Sequence, residues 1–392
     1  MSFVDQLNLI DETGKLSPRL RQFRSLLDEI SPAGLESMAN RATSLTRQHF
    51  GRTMRMFAPI YVSNECVNNC SYCGFSRDNP ILRTTLSVEE VVKEARHLMK
   101  EGFRNILLVA GEHPKFVSDG YLEACINAIR DEIPGISIEV GPMERPEYVR
   151  MVKAGCEGLV VYQETYDREA YKTLHTAGPK KNFDWRIDCP ERGYDGGFRR
   201  IGIGILLGLT DWREDALRLA AHLDYLYKTA WKASFTISLP RLRPTAGEFQ
   251  PSHFVSDAEF VQIMLAFRIC FPQVGLVLST RETPELRDAL FPLGITMISA
   301  GSHTEPGGYT GSGSEDIHLT VRGRRVERDE STDLQTCGKV CQNGVNTDAA
   351  GQFEIADERS PGEIASKLSQ LGLEPVWKDW DASILSTPGL TN

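Results

Sequence analysis

Three cysteines, Cys66, Cys70 and Cys73, stand in the run YVSNECVNNCSYCGFS at the spacing C-x3-C-x2-C. Three thiolates on one short loop can bind three irons of a four-iron, four-sulfur cluster. No fourth cysteine lies nearby, so the fourth iron is left open to another ligand. An enzyme that attaches S-adenosylmethionine to iron and breaks it reductively needs that arrangement. The bland alternatives are zinc or inert thiols. A zinc site wants four closing ligands, usually in two pairs, and His49 and His97 are both distant in sequence. An odd local count disfavours a disulfide framework. Ferredoxin-type clusters usually take four cysteines.

Further candidates end short apolar runs. In AGEH, Gly111 would let the backbone approach a bound methionine, and Glu112 would accept from its ammonium beside His113. The competing view is a loop with a surface carboxylate. In YQETY, Glu164 could accept from ribose hydroxyls or an ammonium, or could simply be solvated, and Gln163 precedes it. SLPRLRP and LSTRE place Arg241, Arg243 and Arg281 at run ends. Arginine grips a carboxylate with two parallel hydrogen bonds, and a structural salt bridge is its ordinary alternative. Ser279, Ser299 and Ser302 fall at equivalent positions. IGIGILLG departs by one residue from the dinucleotide fingerprint and lies inside its run. Its glycines suit either an adenine lying against backbone or tight packing. Cys337 and Cys341, with His318 as the nearest partner, read as solvated thiols. Cys125, Cys156, Cys189 and Cys270 read as small core residues.

The elements that must hold these side chains repeat. Eight short runs rich in Val and Ile start at Phe57, Asn105, Ile136, Gly158, Ile201, Phe235, Gly275 and Thr296. Such runs suit strands covered on both faces. Helical stretches lie between them, at 87–101, 118–132, 213–229 and 257–271, with a Ser87/Glu90 capping box at the first. Strand–helix alternation predicts a parallel sheet, and eight units predict an α/β fold of the closed (β/α)8 TIM type, with a six-unit partial barrel as the alternative. Active sites of such barrels lie at the carboxyl ends of the strands, so the cysteine loop and the polar run ends should meet there. The organisation expected is a helical segment at 1–55, the barrel at 56–306, a polar insert at 307–352 that is either a solvated excursion or partly disordered, and a helix and tail at 353–392 that pack on the barrel. Pro361 would open that last helix and Gly372 would follow its end.

With 392 residues and 41% hydrophobic content the chain can bury a large core, and its net charge of −9 argues against non-specific nucleic-acid binding. The longest apolar stretch, Ile201 to Leu209, is too short to span a bilayer, and the amino terminus has no signal-peptide core. A cytoplasmic protein with no membrane or nucleic-acid partner is expected.

The stretches LTRQHFG, CVNNCSYCGFS, LLVAGEHP, VVYQETY, SLPRLRP, LSTRE, EPGGY, QFEIADERS and PVWKDWD together resemble the aromatic-amino-acid lyase branch of the radical-SAM proteins. Tyr72, just before Cys73, matches the family pattern C-x3-C-x-aromatic-C. The resemblance covers nearly the whole chain except 307–352. It implies a [4Fe-4S] cluster on Cys66, Cys70 and Cys73, with S-adenosyl-L-methionine on the open iron. Tyr72, Gly111, Glu112, His113, Glu164 and Arg241 would border that cofactor. It implies cleavage of the Cα–Cβ bond of L-tyrosine to 2-iminoacetate and p-cresol for thiamine thiazole synthesis. Arg281 would hold the tyrosine carboxylate, near Ser279 and Ser299. A reductant such as flavodoxin or ferredoxin, and a thiazole synthase, would be partners. The related alternatives are the hydrogenase-maturation lyases and a lyase acting on tryptophan. The former carry a second cysteine-bound cluster in a carboxyl-terminal extension, and the PVWKDWD tail has no cysteine. An alternative of another class is a non-catalytic iron–sulfur scaffold.

Overall fold

The eight apolar runs become eight strands. They are β1 Thr53–Ser63, β2 Asn105–Ala110, β3 Gly135–Glu139, β4 Gly158–Glu164, β5 Arg200–Ile205, β6 Ser234–Ser238, β7 Gly275–Leu278 and β8 Met297–Ser299. The computed structural model of the chain describes residues 2–117, 120–247, 249–326 and 349–377. Neighbouring strands pair in parallel in that order, and β8 returns to pair with β1 through Arg55↔Met297 and Phe57↔Ser299. The sheet is therefore a closed eight-stranded barrel, and the six-unit alternative falls away. The glycines of β5 serve this closure. A Cβ at Gly204 would lie 2.3 Å from the Ser238 carbonyl oxygen and 2.9 Å from the Tyr162 ring. Packing between β4, β5 and β6 thus requires a residue without a side chain there.

Helices at Val88–Lys100, Tyr121–Ile129, Arg145–Ala154, Trp212–Thr229, Asp257–Cys270 and Pro284–Leu290 connect successive strands on the outside. The Ser87/Glu90 box caps the first of these reciprocally. Three amino-terminal helices, Phe3–Thr13, Pro18–Ser25 and Pro32–Phe50, open on serine N-caps and lay apolar residues against the barrel helices. Phe23 packs on Phe267 with ring centroids 4.7 Å apart.

The described residues of the polar stretch after β8 dock on the barrel. Tyr309 is buried, its hydroxyl donates to the Pro59 carbonyl at 2.8 Å, and its amide donates to Glu94 at 3.1 Å. His318–Val321 pairs antiparallel with Ile81–Arg83, next to the cysteine loop. Composition missed this because the segment docks through backbone and a few side chains, with little apolar bulk. Cys337 and Cys341 lie outside the described residues.

Downstream, Pro361–Gln370 is helical with a Ser360/Glu363 box, and Gly372 adopts φ 73° beyond its end. Glu374–Val376 then pairs with the start of β1, and the Trp377 ring lies against Gly102 and Phe103. The part of PVWKDWD after Trp377 lies outside the described residues. Among those residues, no helix is long and apolar enough to cross a membrane.

Candidate active site

The loop that leaves β1 carries the three cysteines across the carboxyl end of the barrel. Its path is fixed by hydrogen bonds from several elements. Val67 N donates to the Glu112 carbonyl at 2.8 Å, and Gly111 N donates to the Ser63 carbonyl at 3.0 Å. Asn64 Nδ2 donates to the carbonyls of Leu82 and Ala350. Asn79 Nδ2 donates to those of Cys73, Gly74 and Ala246. A Cβ at Gly111 would sit 2.2 Å from the Glu65 carbonyl oxygen and 3.2 Å from the Cys66 Cβ. The contact that requires glycine at 111 is thus with the cysteine loop itself.

All three thiols are free, with Cys70 buried and Cys66 and Cys73 half-buried. Burial pushes the Cys66 and Cys70 thiols up, and the neighbouring thiols add to this. Such thiols ionise only when a strong cationic acceptor takes them, as iron does. No three His, Cys, Asp or Glu side chains among the described residues converge as ligands of one ion do. A single tetrahedral zinc would draw its sulfurs to within about 4 Å of each other, given Zn–S bonds of about 2.3 Å. A four-iron cube takes each sulfur on a different iron and holds them wider. Three free thiols on one loop are the donor set that three irons of such a cube take.

On one side of the loop lies a charged pocket. Glu164 ends β4 at φ 71°, a left-handed conformation that a non-glycine residue adopts at a cost. Its carboxylate accepts from Lys180 Nζ at 2.7 Å and lies 3.5 Å from Arg186. Burial alone would raise this carboxyl, but the two cations outweigh it and hold it below the usual range. Lys180 also lies 5.5 Å from the Tyr72 ring centroid. Tyr72 packs in an apolar cluster with Cys70, Leu174, Leu206 and Leu209. Its hydroxyl is 2.7 Å from His175 Nε2, while His175 Nδ1 is 2.7 Å from the Tyr171 carbonyl. A carbonyl only accepts, so Nδ1 carries the proton and Nε2 accepts from Tyr72. Glu112 Oε2 accepts from Asn68 Nδ2 at 2.6 Å, inside the cysteine loop. His113 stands half-buried against Phe116, and burial lowers its pKa.

On the other side a cavity opens into the barrel. Phe57, Leu107, Val109 and Val277 give it an apolar wall. Arg281 enters it from the loop after β7. Its guanidinium stacks on Phe353, 3.4 Å from the ring centroid, and makes no ion pair among the described residues. Burial lowers its pKa, and the nearby Tyr61, Tyr162 and Glu139 partly offset this. Ser279 Oγ accepts from the Arg281 amide at 3.3 Å, and Ser299 Oγ accepts from Thr280 N at 3.2 Å. Ser302 Oγ is buried in the same wall with no hydrogen-bond partner.

Arg241 is placed differently. Both carboxylate oxygens of Glu282, Asp257 Oδ1 at 2.7 Å and the Val255 carbonyl occupy its guanidinium. Arg243 also reaches Glu282, at 3.0 Å. Both arginines therefore already bond protein carboxylates, the salt-bridge geometry that stands as the alternative to a ligand role. Gln163 is buried with both amide atoms lacking a partner, and it does not line the cavity.

Sequence reasoning passed over Glu139, Tyr61 and Gln352, which the barrel brings to this cavity. Burial, aided by Glu164, pushes the Glu139 carboxyl up to about 7. Its signal was a lone carboxylate in the apolar run ISIEVG. Gln352 links cavity and cysteine loop. Its Oε1 accepts from Tyr61 at 2.8 Å, and its Nε2 donates to Cys73 Sγ at 3.8 Å.

Residues 60–220 match the model of the Radical SAM superfamily, and residues 238–374 match the Biotin and Thiamin Synthesis associated domain. The chain is 37% identical over 359 residues to the 2-iminoacetate synthase of Escherichia coli (strain K12), covering 91% of this chain and 86% of that protein. It is 38% identical over 361 residues to the 2-iminoacetate synthase of Salmonella typhimurium, covering 91% and 87%. The FeFe-hydrogenase maturase HydG from Carboxydothermus hydrogenoformans superposes with TM-score 0.78 at 33% identity, covering 96% of this chain and 80% of that one. Methylornithine synthase shares the fold at TM-score 0.66 and 21% identity, covering 96% and 97%.

Proposed function

The chain belongs to the 2-iminoacetate synthase family of the Radical SAM superfamily, and on that footing we propose that it cleaves the Cα–Cβ bond of L-tyrosine, giving 2-iminoacetate and p-cresol for thiamine thiazole synthesis. Cys66, Cys70 and Cys73 would hold a [4Fe-4S] cluster, which, when bound, would pass one electron from an external reductant to S-adenosylmethionine and so supply methionine and a 5'-deoxyadenosyl radical for hydrogen abstraction. Glu164 offers a fixed carboxylate for the hydroxyls or ammonium of the nucleoside side, and Lys180 and Arg186 keep it ionised. Tyr72 gives that side an aromatic surface whose orientation His175 sets. Glu112 and His113 border the same side.

The observation that carries the substrate assignment is Arg281. A guanidinium that lines the cavity and makes no ion pair among the described residues leaves its two-pronged donors for the carboxylate of an amino acid. Ser279 and Ser299 hold the loop that presents it. The apolar wall of Phe57, Leu107 and Val109 suits an aromatic ring and excludes water from a reactive radical. A flavodoxin- or ferredoxin-type reductant and a thiazole synthase are the partners that this reaction calls for, in the cytoplasm.

The test is anaerobic reconstitution with a reductant, S-adenosylmethionine and tyrosine, followed by product analysis. Formation of p-cresol together with 5'-deoxyadenosine is expected. Nucleoside without p-cresol refutes tyrosine cleavage, and an indole product from tryptophan assigns the other lyase activity. An intact cluster that forms neither product is the behaviour of a scaffold.

A further inference from the structure

Arg83 is 1% exposed and lies behind the cysteine loop. Its Nη1 donates to the carbonyls of Asn64 at 2.5 Å and Phe75 at 3.0 Å, and its Nη2 donates to that of Ser76 at 2.8 Å. Nε donates to Thr320 Oγ1 at 2.6 Å. Asn64 and Ser76 bracket the three cysteines, so one guanidinium fastens both ends of the loop. None of these acceptors carries a charge. The nearby carboxylate, Glu65, pairs with His318 Nε2 at 2.8 Å instead.

A buried cation without a counter-ion costs several kcal/mol in principle. Burial pushes Arg83 down, and the charges it feels in return come from Glu65, Cys66 and Cys73. Two other fully buried arginines give the contrast. Arg287 pairs with Asp357. Arg268 caps the carbonyls of Pro272, Val274 and Gly294. Capping of carbonyls is therefore a role this fold gives an arginine without further purpose. Arg83 differs because the carbonyls it holds belong to the two ends of the cysteine loop, which sets its charge directly behind the three thiols.

We propose that Arg83 is a positioning residue for the cluster site that also sets its potential. Its hydrogen bonds shape the loop, and its buried positive charge favours the reduced cluster, which carries one more negative charge than the oxidised one. The proposal rests on the cluster assignment to Cys66, Cys70 and Cys73. Charge and burial around an iron–sulfur cluster are established levers on its potential.

The experiment compares wild type, Arg83→Met, Arg83→Gln and Arg83→Lys after anaerobic reconstitution. Iron and sulfide content are measured first, then the reduced fraction by EPR at a series of poised potentials. The neutral variants are expected to show a reduced-to-oxidised ratio at least tenfold lower at a given potential, which is about 59 mV for one electron. Arg83→Lys keeps the charge without the fork and should stay within threefold of wild type. Full clusters with an unchanged ratio in Arg83→Met overturn the proposal. If the neutral variants hold no cluster, Arg83→Lys decides. A filled cluster near the wild-type ratio supports the charge role, and failure of the lysine variant to hold one reduces Arg83 to loop scaffold. Wild type without iron sinks the cluster assignment itself, which is a separate result.

Discussion

Replacing Arg281 by alanine tests the substrate assignment most directly. The side chain has no ion pair to lose among the described residues, and it stacks on Phe353. Such a stack contributes about 0.5–2 kcal/mol, and relief of the buried charge offsets part of that. Folding stability should therefore change by less than about 1–2 kcal/mol. Binding should change far more. Hydrogen bonds to charged groups contribute about 1.5–3 kcal/mol each, and truncating one partner of a buried charge pair costs about 2–5 kcal/mol. A loss of about 3–4 kcal/mol lowers kcat/KM for tyrosine by roughly 10²–10³-fold. Lysine keeps the charge and loses the fork, so it should recover only part of this. The assay follows p-cresol and 5'-deoxyadenosine separately at several tyrosine concentrations. Cresol should fall much more than nucleoside, with the cluster spectrum intact. A tyrosine kcat/KM within threefold of wild type would falsify the carboxylate role. Equal loss of both products with a lowered Tm would instead mark a structural residue.

Gly111→Ala places a Cβ 2.2 Å from a carbonyl oxygen that cannot move without the cysteine loop. Iron content and the cluster's visible absorbance should drop sharply after reconstitution, while the barrel stays folded by circular dichroism. Asp357→Ala leaves Arg287 as a buried unpaired charge and should cost about 3–5 kcal/mol, read as a shift in denaturant midpoint. Burial raises the Asp357 carboxyl, but Arg359 and Arg287 outweigh it and hold it below the ordinary 3.8. The stabilisation it gives is thus present at neutral pH and is lost as pH falls below that range, so the wild-type advantage over the variant should shrink in acid. Glu139 has the opposite sign. Its folded pKa of about 7 lies above the ordinary 4.5, so folding favours its protonated form and stability falls as pH rises from 4.5 to 7. Glu139→Gln should remove that slope from the pH dependence of Tm, and an unchanged slope would place the titration elsewhere.

The cysteine spacing and the eight apolar runs were legible in sequence for one physical reason. Both are local patterns, since a ligand loop needs its thiols within a few residues and a covered strand needs an unbroken apolar run. Strand ends were legible too, and with them the positions of Glu164, Arg281, Ser279 and Ser299. What each of those side chains touches was not. Arg241 and Arg281 look alike in sequence, each three residues past a strand. Only the folded chain shows that Glu282 neutralises one, while the other faces a cavity without an ion pair among the described residues.

Composition did not show what the described part of the polar stretch after β8 touches. It contributes Thr320 to the fastening of Arg83, Ala350 to the cysteine loop and Gln352 to the cavity, through single hydrogen bonds that leave no periodic trace. The sequence by itself determined that three thiolates stand together at the end of a first strand in an alternating fold. The tertiary structure decided which charges around them are already paired and which are left free for cofactor and substrate. Pairing depends on side chains as far apart in sequence as Arg287 and Asp357, or Arg83 and Thr320, which only the folded chain brings within hydrogen-bond reach.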